Sequence, residues 1–121
     1  MERDSDMDKT KCNSYINAME DALYVIGGKW KLRIIIALKE GHKRFNDIQR
    51  TVTGISAKVL SSELKSMESN GLVTRNVLVD EFPVVTEYVL TDYSDSLNEI
   101  LTALIKWGIG HREKITGKPT I

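Results

Sequence analysis

Gly54-Ile55-Ser56-Ala57-Lys58-Val59-Leu60-Ser61-Ser62-Glu63-Leu64-Lys65-Ser66-Met67-Glu68 is the stretch that decides the fold. It reads as a tight turn followed by a helix with two unlike faces. Ser56 suits the N-cap, because its hydroxyl can accept an orphan backbone N–H of the first turn. At about 100° per residue, Val59, Leu60, Leu64 and Met67 fall on one side, and Lys58, Ser61, Ser62 and Lys65 on the other. The polar side carries two long cations and two small hydroxyls with no bulky group between them. A slim, donor-rich, positive surface of this kind suits the major groove of DNA. The expected stop is Asn70-Gly71, with Gly71 as the left-handed residue after the helix.

Immediately upstream, Phe45, Ile48, Gln49 and Val52 recur at helical spacing, so a short helix is expected from Arg44-Phe45 to Val52. Two short helices around the Thr53-Gly54 turn form a helix-turn-helix. Arg44, near the start of the first, is placed to hold the phosphate backbone. Downstream the period changes. Leu72 to Val79 and Val84 to Leu90 read as two strands, joined by the polar loop Asp80-Glu81-Phe82-Pro83. A hairpin directly after a helix-turn-helix is the layout of a wing.

Farther out, Asn13 or Ser14 can cap a first helix in which Tyr15, Met19, Ala22, Leu23 and Ile26 share a face, stopped by Gly27-Gly28. A second helix, from about Lys29-Trp30 to Lys39, is apolar nearly all round and is expected to be central, with Trp30 as a core anchor. Thr91 or Asp92 caps a last helix. Leu97, Leu101, Leu104, Ile105 and Gly108 make its stripe, which Ile100 and Trp107 widen. That is more apolar width than one small core requires, so both terminal helices are expected to pack on a second copy. Tyr15, Met19, Leu23, Ile100, Leu104 and Trp107 are the expected interface residues. The fold class is therefore α+β, mainly helical: a winged helix-turn-helix with extra N- and C-terminal dimerisation helices. One domain is expected over residues 13–115, between flexible tails at 1–12 and 116–121.

The totals agree with a single domain of 121 residues. No apolar run approaches a membrane span, and the acidic N-terminus does not resemble a signal peptide, so a cytoplasmic protein without membrane contact is expected. The formal net charge is zero, with 17 basic and 17 acidic residues. The distribution matters more. Residues 29–65 carry nine basic and three acidic groups, a balance of +6, while residues 1–28 and 66–121 are each at −3. A local positive field can hold phosphates while the whole chain stays neutral.

One cysteine, Cys12, excludes an intrachain disulfide, and two histidines and one cysteine, widely spaced, make no zinc site. Asp4, Asp6 and Asp8 alternate as in a calcium loop, but Lys9 stands where that loop needs Gly and Tyr15 where it needs Glu. No nucleophile–base pair, acid pair or phosphate loop is visible, so neither an enzyme nor a cofactor is expected.

Taken in order, Cys12 ahead of the first helix, Ile26-Gly27-Gly28-Lys29-Trp30, Arg44-Phe45-Asn46-Asp47-Ile48, Gly54-Ile55-Ser56, Leu64-Lys65-Ser66-Met67-Glu68 with Gly71-Leu72-Val73, Tyr88-Val89-Leu90-Thr91 and Trp107-Gly108 resemble the HxlR-type winged helix-turn-helix regulators, relatives of the MarR group. The likeness covers roughly residues 12–108. It implies a homodimeric transcription factor, expected to be a repressor, on an inverted-repeat operator of double-stranded DNA. Ser56, Lys58, Ser61, Ser62 and Lys65 would lie in the major groove, with the hairpin tip near the flanking minor groove or backbone.

The chain departs from the family pattern at three places. Val85 and Thr86 stand where a basic wing residue is frequent, and the tip carries Asp80 and Glu81. Glu63 falls within the apolar arc of the recognition helix, where it needs a basic partner, with Arg44 and Arg75 as candidates. Asn13 replaces a frequent proline after the cysteine.

Some members of the family respond to oxidants or electrophiles through a cysteine at this position. The resemblance thus implies that Cys12 is a redox sensor. Lys9, Lys11 and a place near a helix N-terminus favour its nucleophilic form. The wider MarR likeness implies a small-molecule effector site between the terminal helices, with Tyr15, Met19, Leu104 and Trp107 as lining. From a different class, a winged-helix module that binds a protein instead of DNA accounts for the neutral total charge and the acidic wing, though the +6 central block opposes it.

Overall fold

A computed structural model of the chain describes residues 6–120. The order is α1 (Asp6–Ile26), α2 (Lys31–Lys39), α3 (Phe45–Thr51), α4 (Ala57–Ser69), β1 (Val73–Leu78), β2 (Val85–Leu90), a 3-10 turn (Asp92–Leu97) and α5 (Asn98–Thr116). This is a winged helix-turn-helix flanked by two terminal helices.

The core forms where α2, α3, α4 and the start of the hairpin meet. Ile34 and Ile35 of α2, Ile48 of α3, Leu60, Leu64 and Met67 of α4, and Leu72 and Val73 are almost fully buried. Leu97 and Leu101 bring the 3-10 turn and α5 onto the same cluster. Helix α2 is covered as its all-round apolarity requires, except at Ile36, which remains exposed.

The two strands pair antiparallel, from Val73 opposite Leu90 to Leu78 opposite Val85. The Tyr88 N–H donates to the Lys43 carbonyl at 2.8 Å, and Arg44 forms a bridge with Glu87. The segment before α3 is thus tied to the wing by a single isolated bridge. At the far end of the hairpin, the Thr91 hydroxyl accepts from the Ser94 N–H at 3.3 Å and caps the 3-10 turn.

Two expectations are corrected. Helix α1 starts at Asp6, well before Asn13 or Ser14. No glycine or proline interrupts residues 6–26, so nothing in the chain forces a later start. Only residues 1–5 of the expected N-terminal tail lie outside the described ones. The last helix is a 3-10 turn followed by α5, and is not continuous from Asp92.

At the C-terminus, the last described residues contact the end of α5. Thr116 ends α5, and the Gly117 N–H donates to the Glu113 carbonyl at 2.8 Å. The Thr120 N–H donates to the Glu113 carboxylate at 3.1 Å. A helix end closed by its own side chain has less freedom to fray. Ile121 lies outside the described residues.

Candidate nucleic-acid interface

Helix α4 is built as its sequence requires. Ser56 has extended backbone (φ −81°, ψ 158°), and its Oγ accepts the Val59 N–H at 3.2 Å. One face buries Leu60, Leu64 and Met67 and half-buries Val59. The other leaves Lys58, Ser61, Ser62 and Lys65 exposed together, along with Ser56. Gly71 closes the helix at φ +79°, where a residue with a Cβ would be strained. Among the described residues, neither Lys58 nor Lys65 has a carboxylate partner. Their charge is therefore free to meet an anion.

The turn between α3 and α4 is fastened from inside. The Ile55 N–H donates to the Val52 carbonyl at 3.3 Å, and Gln49 Nε2 donates to the Ile55 carbonyl at 3.4 Å. The half-buried Trp30 side chain lies beside this turn, 3.9 Å from the position a Cβ on Gly54 would take. The Lys29 ammonium sits 4.7 Å from the Trp30 ring centre and the Arg33 guanidinium 5.6 Å from it. Trp30 is a packing anchor as expected, and it also gathers two cations next to the helix-turn-helix.

Glu63 has a partner that neither expectation named. Its carboxylate lies 2.8 Å from Lys31 Nζ of α2, with the two side chains only 22% and 14% exposed. The contact is ionic and not a well-aligned hydrogen bond, because the same oxygen has no correctly oriented donor. Arg44 and Arg75 are not involved. Spacing along α4 revealed the problem of a carboxylate in an apolar arc. Lys31 was hidden because its own helix reads as almost entirely apolar.

Arg44 stands at the N-cap position of α3, half exposed, where phosphate can reach it. Its guanidinium already faces Glu81 of the wing loop at 3.8 Å. Arg50, in the last turn of α3, pairs with Asp47 on the same helix. Between α3 and the wing runs an open groove of about 450 Å³, lined by Arg44, Asn46, Arg50 and Thr86 among others. Beyond it the loop presents Phe82 fully to solvent.

The terminal helices carry their apolar residues outward. Tyr15, Met19 and Leu23 on α1, and Ile100, Leu104 and Trp107 on α5, are all exposed in the single chain, Trp107 at 70%. Trp107 is stacked on His111, with ring centres 5.0 Å apart. A groove of about 320 Å³ does lie between α1 and the start of α5, but its walls are Asp21, Ala22, Val25, Ile26, Leu72, Tyr93, Ser96, Leu97 and Ile100. Tyr15, Met19, Leu104 and Trp107, the expected lining, are not among them, because they point away from the core.

Cys12 is a half-buried free thiol inside α1 and does not precede the helix. The contribution expected from a helix N-terminus therefore falls away. Among the described residues no group of side chains is arranged to hold a metal ion, and no helix is long and apolar enough to cross a membrane.

The profile of the HxlR-like helix-turn-helix family matches residues 25–116. The HTH-type transcriptional regulator YtcD of Bacillus subtilis is 36% identical over 111 residues, which span 92% of this chain and 85% of that protein. An HTH-type transcriptional regulator of Methanothermobacter thermautotrophicus is 40% identical over 96 residues, 79% of this chain and 72% of the other. Among solved structures, the redox regulator HypR in its reduced form superposes with a TM-score of 0.75 at 33% identity, covering 84% of this chain and 99% of that one. The chain belongs to the HxlR-like helix-turn-helix family, and it is a winged helix-turn-helix transcriptional regulator.

Proposed function

We propose that the protein is a cytoplasmic homodimer that reads an inverted-repeat operator and represses transcription from it. The observation that carries this reading is the outer face of α4, where Lys58 and Lys65 flank Ser61 and Ser62 with no carboxylate partner. Lysines of this kind release counterions from DNA, and small hydroxyls admit close approach to base edges. The exposed apolar faces of α1 and α5 support the dimer, which sets two copies of α4 one or two helical turns apart. A regulator of this kind performs no catalysis.

Fluorescence anisotropy against the DNA upstream of the protein's own gene, beside a scrambled duplex, tests the reading. Preference for the native duplex by about a thousandfold at near-physiological salt is expected. Lys58→Ala/Lys65→Ala should weaken binding to the native duplex by at least about tenfold. Equal weak binding to both duplexes, unchanged in the double variant, would sink the proposal. That outcome would favour a protein-binding module, the reading to which the acidic, Phe82-bearing wing lends support.

Control of the repressor through Cys12 is part of the proposal. It is supported by the half-exposed thiol on α1, the helix proposed to form the dimer, and by the likeness to HypR, a redox regulator. Oxidation or alkylation there would alter the packing between protomers. Diamide should release wild type from DNA and leave Cys12→Ser bound. Equal release of both would exclude this thiol. A small-molecule effector would have its site in the groove between α1 and α5.

A further inference from the structure

We infer that Glu81 competes with DNA phosphate for Arg44, so that the wing masks one cation of the interface until the duplex displaces it. The inference rests on the DNA-binding reading above and concerns how that site is regulated.

Arg44 is held in place by its backbone, through the bridge to Glu87 and the neighbouring bond from Tyr88 to Lys43. Its side chain is free to choose partners. In the unbound chain it faces Glu81 at 3.8 Å, with the two side chains 52% and 49% exposed. A guanidinium has five N–H donors, and one carboxylate at this distance leaves most of them unused. A phosphodiester can take two of them in a forked contact, which is stronger. The groove beside Arg44 has room for it and adds Asn46 and Thr86 as polar walls, while the carboxylate of Asp47, which also lines it, is paired with Arg50.

The pair with Glu81 is solvent-screened, so its hold on Arg44 amounts to no more than about fivefold in an equilibrium. It is a weak latch that the field of a duplex overcomes. The free cations of α4 are the contrast. Lys58 and Lys65 have no carboxylate to displace among the described residues, while Arg44 must first leave Glu81. Asp80, adjacent in the loop and without an ion pair among the described residues, carries the same charge but cannot act in this way.

The test is anisotropy on the full chain with labelled duplex at low salt, comparing wild type, Glu81→Gln, Asp80→Asn, Arg44→Met and Arg44→Met/Glu81→Gln. Competition predicts that Glu81→Gln tightens binding about three- to fivefold per protomer. Asp80→Asn should change it by less than about half that factor. In the Arg44→Met background, Glu81→Gln should gain no more than Asp80→Asn does. Equal gains from both wing variants, or a Glu81→Gln gain that survives Arg44→Met, would reduce Glu81 to long-range charge and overturn the inference. If neither wild type nor Glu81→Gln binds any duplex, the DNA-binding reading fails and takes the inference with it. Thermal melts of all five proteins should coincide, since these side chains are at the surface.

Discussion

Helix α4 and the terminal helices α1 and α5 are all amphipathic, yet they show solvent opposite faces. Helix α4 buries Leu60, Leu64 and Met67 and exposes Lys58, Ser61, Ser62 and Lys65. Helices α1 and α5 expose Tyr15, Met19, Leu23, Ile100, Leu104 and Trp107 and bury little beyond Ile26 and Leu101. The hydrophobic demand of α4 is met inside one chain, so its outer face is free to be polar. That of the terminal helices is unmet inside the single chain, which is why the proposed dimer is built on them. One helix is finished as a folding unit and open as a binding unit. For the other two the reverse holds.

The largest effect should come from spoiling the unfinished faces. Leu23→Asp/Leu104→Asp is expected to raise the dissociation constant of the proposed dimer by at least about a hundredfold, as removal of central apolar anchors does. Sedimentation velocity would show a monomer at concentrations where wild type is dimeric. An unchanged sedimentation coefficient would break the comparison, because the faces would then need no partner.

Next comes the finished helix. Lys58→Glu/Lys65→Glu should weaken DNA binding by about a hundredfold while leaving the melting temperature unchanged, since both side chains lie outside the core. A fall in stability of similar size would show that the polar face is structural after all.

Lys31→Met separates folding from binding more finely. It leaves Glu63 without a counter-charge in a mostly buried setting and should cost about 1–3 kcal/mol in chemical denaturation. Lys31→Met/Glu63→Met should recover most of that loss. The smallest effect belongs to Ser56→Ala. Losing the cap of α4 is expected to cost about 1 kcal/mol of stability. Affinity should fall only in proportion to any fraying of the first turn.

The same contrast explains how much could be read from the sequence. The elements of the helix-turn-helix and wing were legible because each is specified locally, by Ser56, by Gly54 and Gly71, and by a change of period after Leu72. What was missed depends on pairs distant in the chain. The Lys31 and Glu63 contact joins α2 to α4, and Arg44 meets Glu81 across the wing. Periodicity identifies which side of a helix a charge lies on, but not which element comes to stand beside it. The start of α1 was misplaced for a different reason. A polar helix and a polar tail have similar composition, and capping residues at Asn13 and Ser14 do not end a helix already under way.

Gly27 and Gly28 join α1 to the rest of the chain, and this junction has a mechanical consequence. A Cβ on Gly27 would come within 2.2 Å of the Leu23 carbonyl oxygen, and Gly28 has φ +91°. The angle at which α1 leaves the reading head is therefore set at two residues, one with no space for a side chain and one whose backbone a side chain would strain. A helix of 21 residues is about 30 Å long. By lever arithmetic, a swing of about 5° at this joint carries its far end roughly 3 Å, close to the rise of one base pair. In a dimer built on α1, a small error at this pivot would be magnified into a one-step misfit between two reading heads and their half-sites.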